Sequence, residues 1–160
     1  MNAYRDFVSE IEAAVEKAKT LPRGTFASGP RPEVPPDARC VLLFSPHPDD
    51  ECIVGTLPLR LLRQDKLNVI NVAVTQGSRK DRQDARFEEL RAACDFLGLG
   101  LIQTQKGGLE HIKMETRDQA PDEWAASTEV IRDILAAHRP TIIFVPHEND
   151  WNGTHIGTHY

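Results

Sequence analysis

Short apolar runs alternate in this chain with longer stretches whose apolar residues recur at helical spacing, and this alternation restricts the fold more than any other feature of the sequence. Residues 41–44, 69–74, 99–103 and 142–145 are brief and mostly apolar, which predicts strands. Between them, residues 57–63 predict a helix with Pro58 in the first turn, where no backbone donor is needed. Residues 81–97 carry a helical stripe at Phe87, Leu90, Cys94 and Leu97. Residues 122–138 carry another through Trp124, Ile131, Ile134 and Leu135, before Pro140 stops it. Alternation of this kind implies an α/β domain with a mostly parallel sheet and helices on both faces. Ahead of it, residues 4–18 place Tyr4, Phe7, Val8, Ile11, Val15 and Ala18 on one helical face, and residues 21–37 hold five prolines, the mark of an extended connector. The organisation is therefore an N-terminal helix and connector over 1–37 and an α/β domain over 38–160. The polar residues 105–119, with Gly107-Gly108 near their start, predict a loop, either one that shapes a cleft or a plain surface excursion.

Composition removes several classes of function. The formal net charge is −5 and no long Lys/Arg cluster occurs, which argues against nucleic acid or an anionic membrane as partner. No apolar run is long enough to span a bilayer. The first residues, Met1-Asn2-Ala3-Tyr4-Arg5-Asp6, show no secretory signal pattern. Cys40, Cys52 and Cys94 form no C-x-x-C unit, so neither a zinc knuckle nor a disulfide framework is expected, and a reducing cytoplasm is the simple setting. A homo-oligomer is compatible with this composition.

The chemistry concentrates where two of the apolar runs end. The first strand runs directly into Ser45-Pro46-His47-Pro48-Asp49-Asp50-Glu51, one imidazole and three carboxylates within five residues. The prolines stiffen the turn and remove backbone donors. The last strand runs into residues 146–159, which contain His147, His155 and His159 together with Asn152. If both strands are parallel and central, both segments emerge at one sheet edge, where open α/β folds hold their ligands. His47 and Asp50 can then meet His155 or His159, a His/Asp/His set that leaves room for water, as catalytic zinc sites do. Such ligation also suits other divalent metals. The plain alternatives are that Asp49 or Asp50 caps the following helix and that the imidazoles lie on the surface. His138, near a helix C-terminus, reads as structural, and His111 is undecided.

The residues 46–51 resemble the signature of the PIG-L/LmbE-like de-N-acetylases, which include N-acetylglucosaminyl-phosphatidylinositol deacetylases and bacterial thiol-pathway deacetylases. The resemblance extends to Gly55-Thr56-Leu57, to Thr75-Gln76-Gly77 after the second strand, to Arg86-Phe87-Glu88-Glu89-Leu90 with Ala93 and Leu97-Gly98 behind it, and to residues 146–155. It implies a Rossmann-like catalytic domain that hydrolyses an N-acetylated small molecule, such as an amino-sugar derivative, to acetate and a free amine. It further implies that His47, Asp50 and His155 bind zinc, that Asp49 is the general base, and that Arg86 either reaches the substrate pocket or only pairs with acidic neighbours. Two positions depart from the family pattern. Asn152 stands where the family often has a histidine that assists the tetrahedral intermediate or the leaving amine. An amide donates a hydrogen bond but transfers no proton readily, so Asp49 serves as both base and acid, or His159 or His147 takes over. Lys106 stands where an acidic residue is common. The chain also stops at Tyr160, directly after the histidine motif, whereas family domains continue with a helix and further strands, so the resemblance implies that the C-terminal part of the domain is missing.

Other readings are a metal hydrolase for a different amide, ester or phosphoester, and a binding or regulatory module that keeps the metal pocket without the catalysis. Nucleotide binding ranks low, because no G-x-G-x-x-G or G-x-x-x-x-G-K-[ST] occurs. No G-x-S-x-G elbow supports a serine hydrolase.

Overall fold

The computed structural model describes residues 2–21, 27 and 29–160. Helix α1 (Ala3–Lys19) is followed by strand β1 (Cys40–Ser45), helices α2 (Asp50–Ile53) and α3 (Thr56–Arg63), and strand β2 (Asn68–Ala73). A single 3-10 turn (Lys80–Arg82) leads into α4 (Gln83–Leu97), then β3 (Gly100–Gln103), α5 (Met114–Gln119), α6 (Pro121–His138), β4 (Ile142–Phe144) and α7 (Gly153–His159). Residues 22–26 and 28 of the expected connector lie outside the described residues, and residues 29–37 form neither helix nor strand.

The strands form one all-parallel sheet in the order β3-β2-β1-β4. The central strand β1 is covered on both faces, which is why its sequence reads as an unbroken apolar run rather than an alternating one. Successive side chains still part to opposite sides. Val41 joins Val69, Leu62, Leu90 and Cys94 in one buried cluster, so α3 and α4 lie on that face. Leu42 and Phe44 join Val72, Val74, Leu109 and Ile112 in the other, against Trp124, Ile131, Ile134 and Leu135 of α6. The expected parallel α/β architecture with helices on both faces is what the chain forms.

The connections proceed from β1 to β2 to β3 on one side, and the return through α6 places β4 on the other side of β1. The strand order therefore reverses between β1 and β4, the position where sheets of this type open a crevice at their carboxyl edge. Helix α4 ends at Gly98, whose φ of 83° makes the left-handed turn that sends the chain into β3.

One element departs from the expectation. Residues 114–119, read as loop, form α5, which packs against α6 and α7. Its sequence, METRDQ, has no apolar stripe to betray a helix, and its stability comes from docking rather than propensity. Helix α1 is the reverse case. Asn2 caps it by accepting from the Tyr4 amide at 3.1 Å, yet it has no buried residue and its stripe of Tyr4, Phe7, Val8, Ile11 and Val15 is exposed. Among the described residues, no helix is long and apolar enough to cross a membrane.

Candidate metal centre

The turn after β1 is tied to the end of β2. The Thr75 hydroxyl donates to the Pro46 carbonyl at 2.6 Å and the Thr75 amide donates to the same oxygen at 3.1 Å. Beneath it, the Ser45 hydroxyl donates to Asn71 Oδ1 at 2.6 Å. The chain then turns sharply, and Asp49 takes φ 136° and ψ −23°, a conformation that costs an L-residue of order 1–3 kcal/mol. Asp49 occupies the N-cap position of α2 but makes no capping hydrogen bond. Its carboxylate is exposed. Asp50, by contrast, is buried, and its Oδ2 accepts from the His47 amide at 2.8 Å.

On the neighbouring strand, β4 ends and residues 146–152 loop into α7. Asn152 caps this helix, its Oδ1 accepting from the Thr154 amide at 2.9 Å. Gly157 lets α7 approach the chain at Ile112, where a Cβ would fall 2.4 Å from the Ile112 carbonyl oxygen. The docked helix carries His155 toward Asp50. The two β-ends thus converge: His47 Nδ1 lies 3.2 Å from His155 Nε2, His155 Nε2 lies 3.4 Å from Asp50 Oδ2, and His47 Nδ1 lies 3.7 Å from Asp50 Oδ2.

These three atoms fit a divalent cation. Nitrogen and oxygen ligands at about 2.0–2.2 Å from a tetrahedral zinc stand about 3.3–3.6 Å from each other, and the observed triangle has nearly those sides. Two imidazole nitrogens 3.2 Å apart repel through their lone pairs unless a proton or a cation lies between them. His155 is further oriented from behind, its Nδ1 pairing with Asp150 Oδ2 at 3.1 Å. That contact makes Nδ1 the protonated nitrogen and turns the Nε2 lone pair toward the cluster, the carboxylate–histidine arrangement typical of bound metals. Among the described residues this is the one group of three such side chains close enough to share an ion.

The charge balance favours the anionic ligand. Burial pushes the Asp50 carboxyl up, but the hydrogen bonds from His47 and the charges of His155 and His47 together hold it below the usual carboxylate range. Asp150 is also held low, first by the Asn152 amide that donates to it and then by His155.

The remaining expected residues are distributed as follows. Asn152 lines the cleft beside His47, and with Oδ1 engaged in capping its amide nitrogen is the donor left. Arg86, like Asp49, Asp50 and His155, is not among the residues lining that cleft, and its Nη2 donates to the Pro48 carbonyl at 3.0 Å. His159 is not part of the ligand triangle, and its Nδ1 lies 2.8 Å from the Pro146 carbonyl. His147 Nδ1 accepts from the Asn149 amide at 3.1 Å, and His111 pairs with Glu123 at 2.7 Å. Two residues at the site were not singled out in the sequence, Asp150 behind His155 and Trp151, which is 91% exposed at the cleft, while Glu51 of the acidic run is buried. Asp150 and Trp151 sit within the histidine-rich stretch, and that proximity was the only available signal.

The cleft has a volume of about 570 Å³ and is also lined by Thr75, Lys80, Gln83 and Lys113. A larger cavity of about 880 Å³ lies between residues 29–35 and the ends of α3 and α4. It holds none of the clustered imidazoles, so chemistry rather than size locates the site.

No curated protein matches the chain. Among solved structures, a deacetylase from the biosynthesis pathway of teicoplanin has a similar fold, with TM-score 0.57 and 21% identity over 75% of this chain and 59% of that one. The N,N'-diacetylchitobiose deacetylase from Pyrococcus horikoshii is also similar, with TM-score 0.53 and 21% identity over 90% of this chain and 55% of that one. The chain thus spans less than two thirds of the length of these structures. The family model described as PIG-L, GlcNAc-PI de-N-acetylase, matches residues 42–160, a stretch that contains every side chain of the ligand triangle, and the chain belongs to that family.

Proposed function

We propose that this chain carries the hydrolytic centre of a metal-dependent de-N-acetylase acting on an N-acetylated amino sugar or a related small molecule. The observation that carries the reading is the His47–Asp50–His155 triangle at the point where the strand order reverses. Zinc, or another divalent cation, would be held there by His47, Asp50 and His155 and would supply an acidified water and a positive charge. Asp150 keeps the His155 ring in register. The Asp49 carboxylate, exposed next to Asp50, accepts the proton of the attacking water and returns it to the departing nitrogen as the C–N bond breaks. This double duty follows from the neighbours: Asn152 offers only a hydrogen bond, useful to a developing oxyanion, and the His159 ring is engaged with the Pro146 carbonyl. The products are acetate and a free amine. An exposed indole at the cleft, Trp151, suits the apolar face of a sugar ring.

The test is Asp49→Asn in the full chain, assayed against a panel of N-acetylated sugars and phosphoesters alongside metal analysis. The variant is expected to keep metal and fold and to lose about 10²–10⁴-fold in turnover, the usual worth of a general base. Undiminished turnover sinks the base assignment. Metal binding by the unmodified chain without hydrolysis of any amide on the panel leaves a metal-binding module instead. Hydrolysis confined to phosphoesters moves the chain to a different reaction.

A further inference from the structure

The peptide unit joining Pro48 to Asp49 is gripped at both ends by side chains, one from α4 and one from the first turn of α2. On one end, Arg86 Nη2, projecting from α4, donates to the Pro48 carbonyl at 3.0 Å. On the other, Glu51 Oε2 accepts from the Asp49 amide at 2.9 Å. Glu51 is only 2% exposed. Among the described residues its carboxylate forms no ion pair; its second oxygen accepts from the Cys52 thiol at 3.3 Å. A buried carboxylate without a countercharge is costly, so its contacts explain why it is there: it meets a backbone N–H that the strained turn points inward.

Arg86 runs past Gly77 to reach the turn. Its Nη1 lies where a Cβ on Gly77 would come within 2.4 Å, and Gly77 has φ 82°, so the glycine provides the space for the guanidinium. The Gly77 carbonyl in turn accepts from Gln83 Nε2 at 2.8 Å. Arg86 therefore reaches the Pro48 carbonyl through the space that Gly77 leaves.

The strain in Asp49 is most easily released by rotating this one peptide plane, which turns the carbonyl and the amide together. That rotation breaks both hydrogen bonds at once. We propose that Glu51 and Arg86 are positioning residues, a clamp that locks the Pro48–Asp49 peptide plane and through it the direction of the Asp49 carboxylate. The consequence for catalysis rests on the function proposed above; the clamp itself does not. It assigns Arg86 to the turn rather than to the substrate, and it gives the third acid of the His-Pro-Asp-Asp-Glu run a role distinct from metal binding.

The experiment uses the full chain, metal-loaded and metal-free, as Glu51→Leu, Arg86→Met, their double variant and Glu51→Gln. Hydrogen exchange at the Asp49 amide, followed by NMR, reads the clamp without any turnover. Exchange is expected to accelerate at least about tenfold in both single variants, as befits loss of a protecting partner. On an N-acetyl sugar substrate, each single variant is expected to lose about 10²-fold in kcat, the scale of a misplaced catalytic group, with KM and metal stoichiometry unchanged. Because both side chains hold one plane, the double variant loses little more than the worse single. Glu51→Gln, which keeps an acceptor oxygen, recovers most of the turnover. Unchanged Asp49 exchange in both single variants overturns the clamp. So does a rise in KM for Arg86→Met with multiplicative losses in the double variant, because Arg86 is then a substrate contact. If Glu51→Leu does not fold, Arg86→Met carries the same readings. If the unmodified chain hydrolyses nothing on the panel, the deacetylase reading fails while the exchange measurement still decides the clamp.

Discussion

Gly157→Ala sets local propensity against packing, and the structure says which wins. Inside a helix, alanine is favoured over glycine by about 1 kcal/mol, so propensity alone expects a stabler α7. The added Cβ, however, falls 2.4 Å from the Ile112 carbonyl oxygen, 2.6 Å from its carbon and 2.9 Å from the Lys113 nitrogen. All three are backbone atoms, which cannot swing aside like the end of a long side chain. Relief requires α7 to retreat by about 1 Å, since unstrained carbon contacts begin near 3.5 Å, and overpacking of this kind costs about 1–3 kcal/mol. His155 lies two residues earlier on the same short helix. A retreat of that size opens its 3.2 and 3.4 Å separations from His47 and Asp50 beyond the tolerance of about 0.2 Å on metal–ligand bonds. The variant is therefore expected to bind zinc at least about tenfold more weakly, in the range seen when a ligand's support is lost. Competition against a chromophoric chelator measures this, with circular dichroism to confirm the fold. Gly153→Ala is the control, because its Cβ would meet only Lys113 side-chain carbons at 3.9 and 4.0 Å. Wild-type zinc affinity in Gly157→Ala, with loss in Gly153→Ala, would refute the argument.

Asp150→Asn removes the charge behind His155 Nδ1 while keeping an acceptor for the Asn152 amide; zinc affinity is expected to fall by about 10–100-fold, and an unchanged chelator titration removes Asp150 from the site. Burial, with the nearby Glu51 charge adding to it, pushes the Cys94 thiol up to about 12 from the 9.0 of a free thiol. Above pH 9 the unfolded chain therefore releases a proton that the native state keeps, and stability falls as pH rises, by about 1.4 kcal/mol per unit until the folded-state value is reached. Denaturant midpoints between pH 8 and 10.5 should fall more steeply for the unmodified protein than for Cys94→Ala, and equal slopes contradict the assignment. Leu42, fully buried at the sheet centre, should cost about 2–5 kcal/mol as Leu42→Ala; a loss under about 1 kcal/mol in urea unfolding means the two-faced core is looser than its packing indicates.

What could be read in advance followed from burial. Residues covered on both faces make β1 an apolar run and β2 a mostly apolar, β-branched one, as buried strands require, and the stripe through Ile131, Ile134 and Leu135 needs a partner face. Helices α5 and α7 gave no such sign. METRDQ is polar throughout and GTHIGTH contains two glycines, and both depend on docking to neighbours distant in sequence. The same distinction divides the site. His47, Asp49 and Asp50 announce themselves by crowding into a turn after a strand. The choice between His155 and His159 was open because both lie on α7, and they differ in height along it: four residues rise about 6 Å, which carries His159 past the cluster to the Pro146 carbonyl. Arg86 and the Pro48 carbonyl are 38 residues apart, and no local pattern joins them.

The feature that makes one centre out of two distant motifs is the parallel pairing of β1 with β4. Val41, Leu42 and Leu43 pair with Ile142, Ile143 and Phe144, so the chain leaves both strands at the same height and on the same edge. Neighbouring strands are about 4.8 Å apart, a spacing that a turn on one side and a short helix on the other can close to a 3.2 Å approach of two imidazole nitrogens. Had β4 run antiparallel, the second histidine segment would leave it beside Val41, at the end of β1 opposite to the His47 turn. The residue types needed for a His/Asp/His site are written in the sequence, but their meeting depends on the direction of β4. That direction follows from the long return through α6, since a connection that crosses the whole face of the sheet can start the next strand parallel to the first.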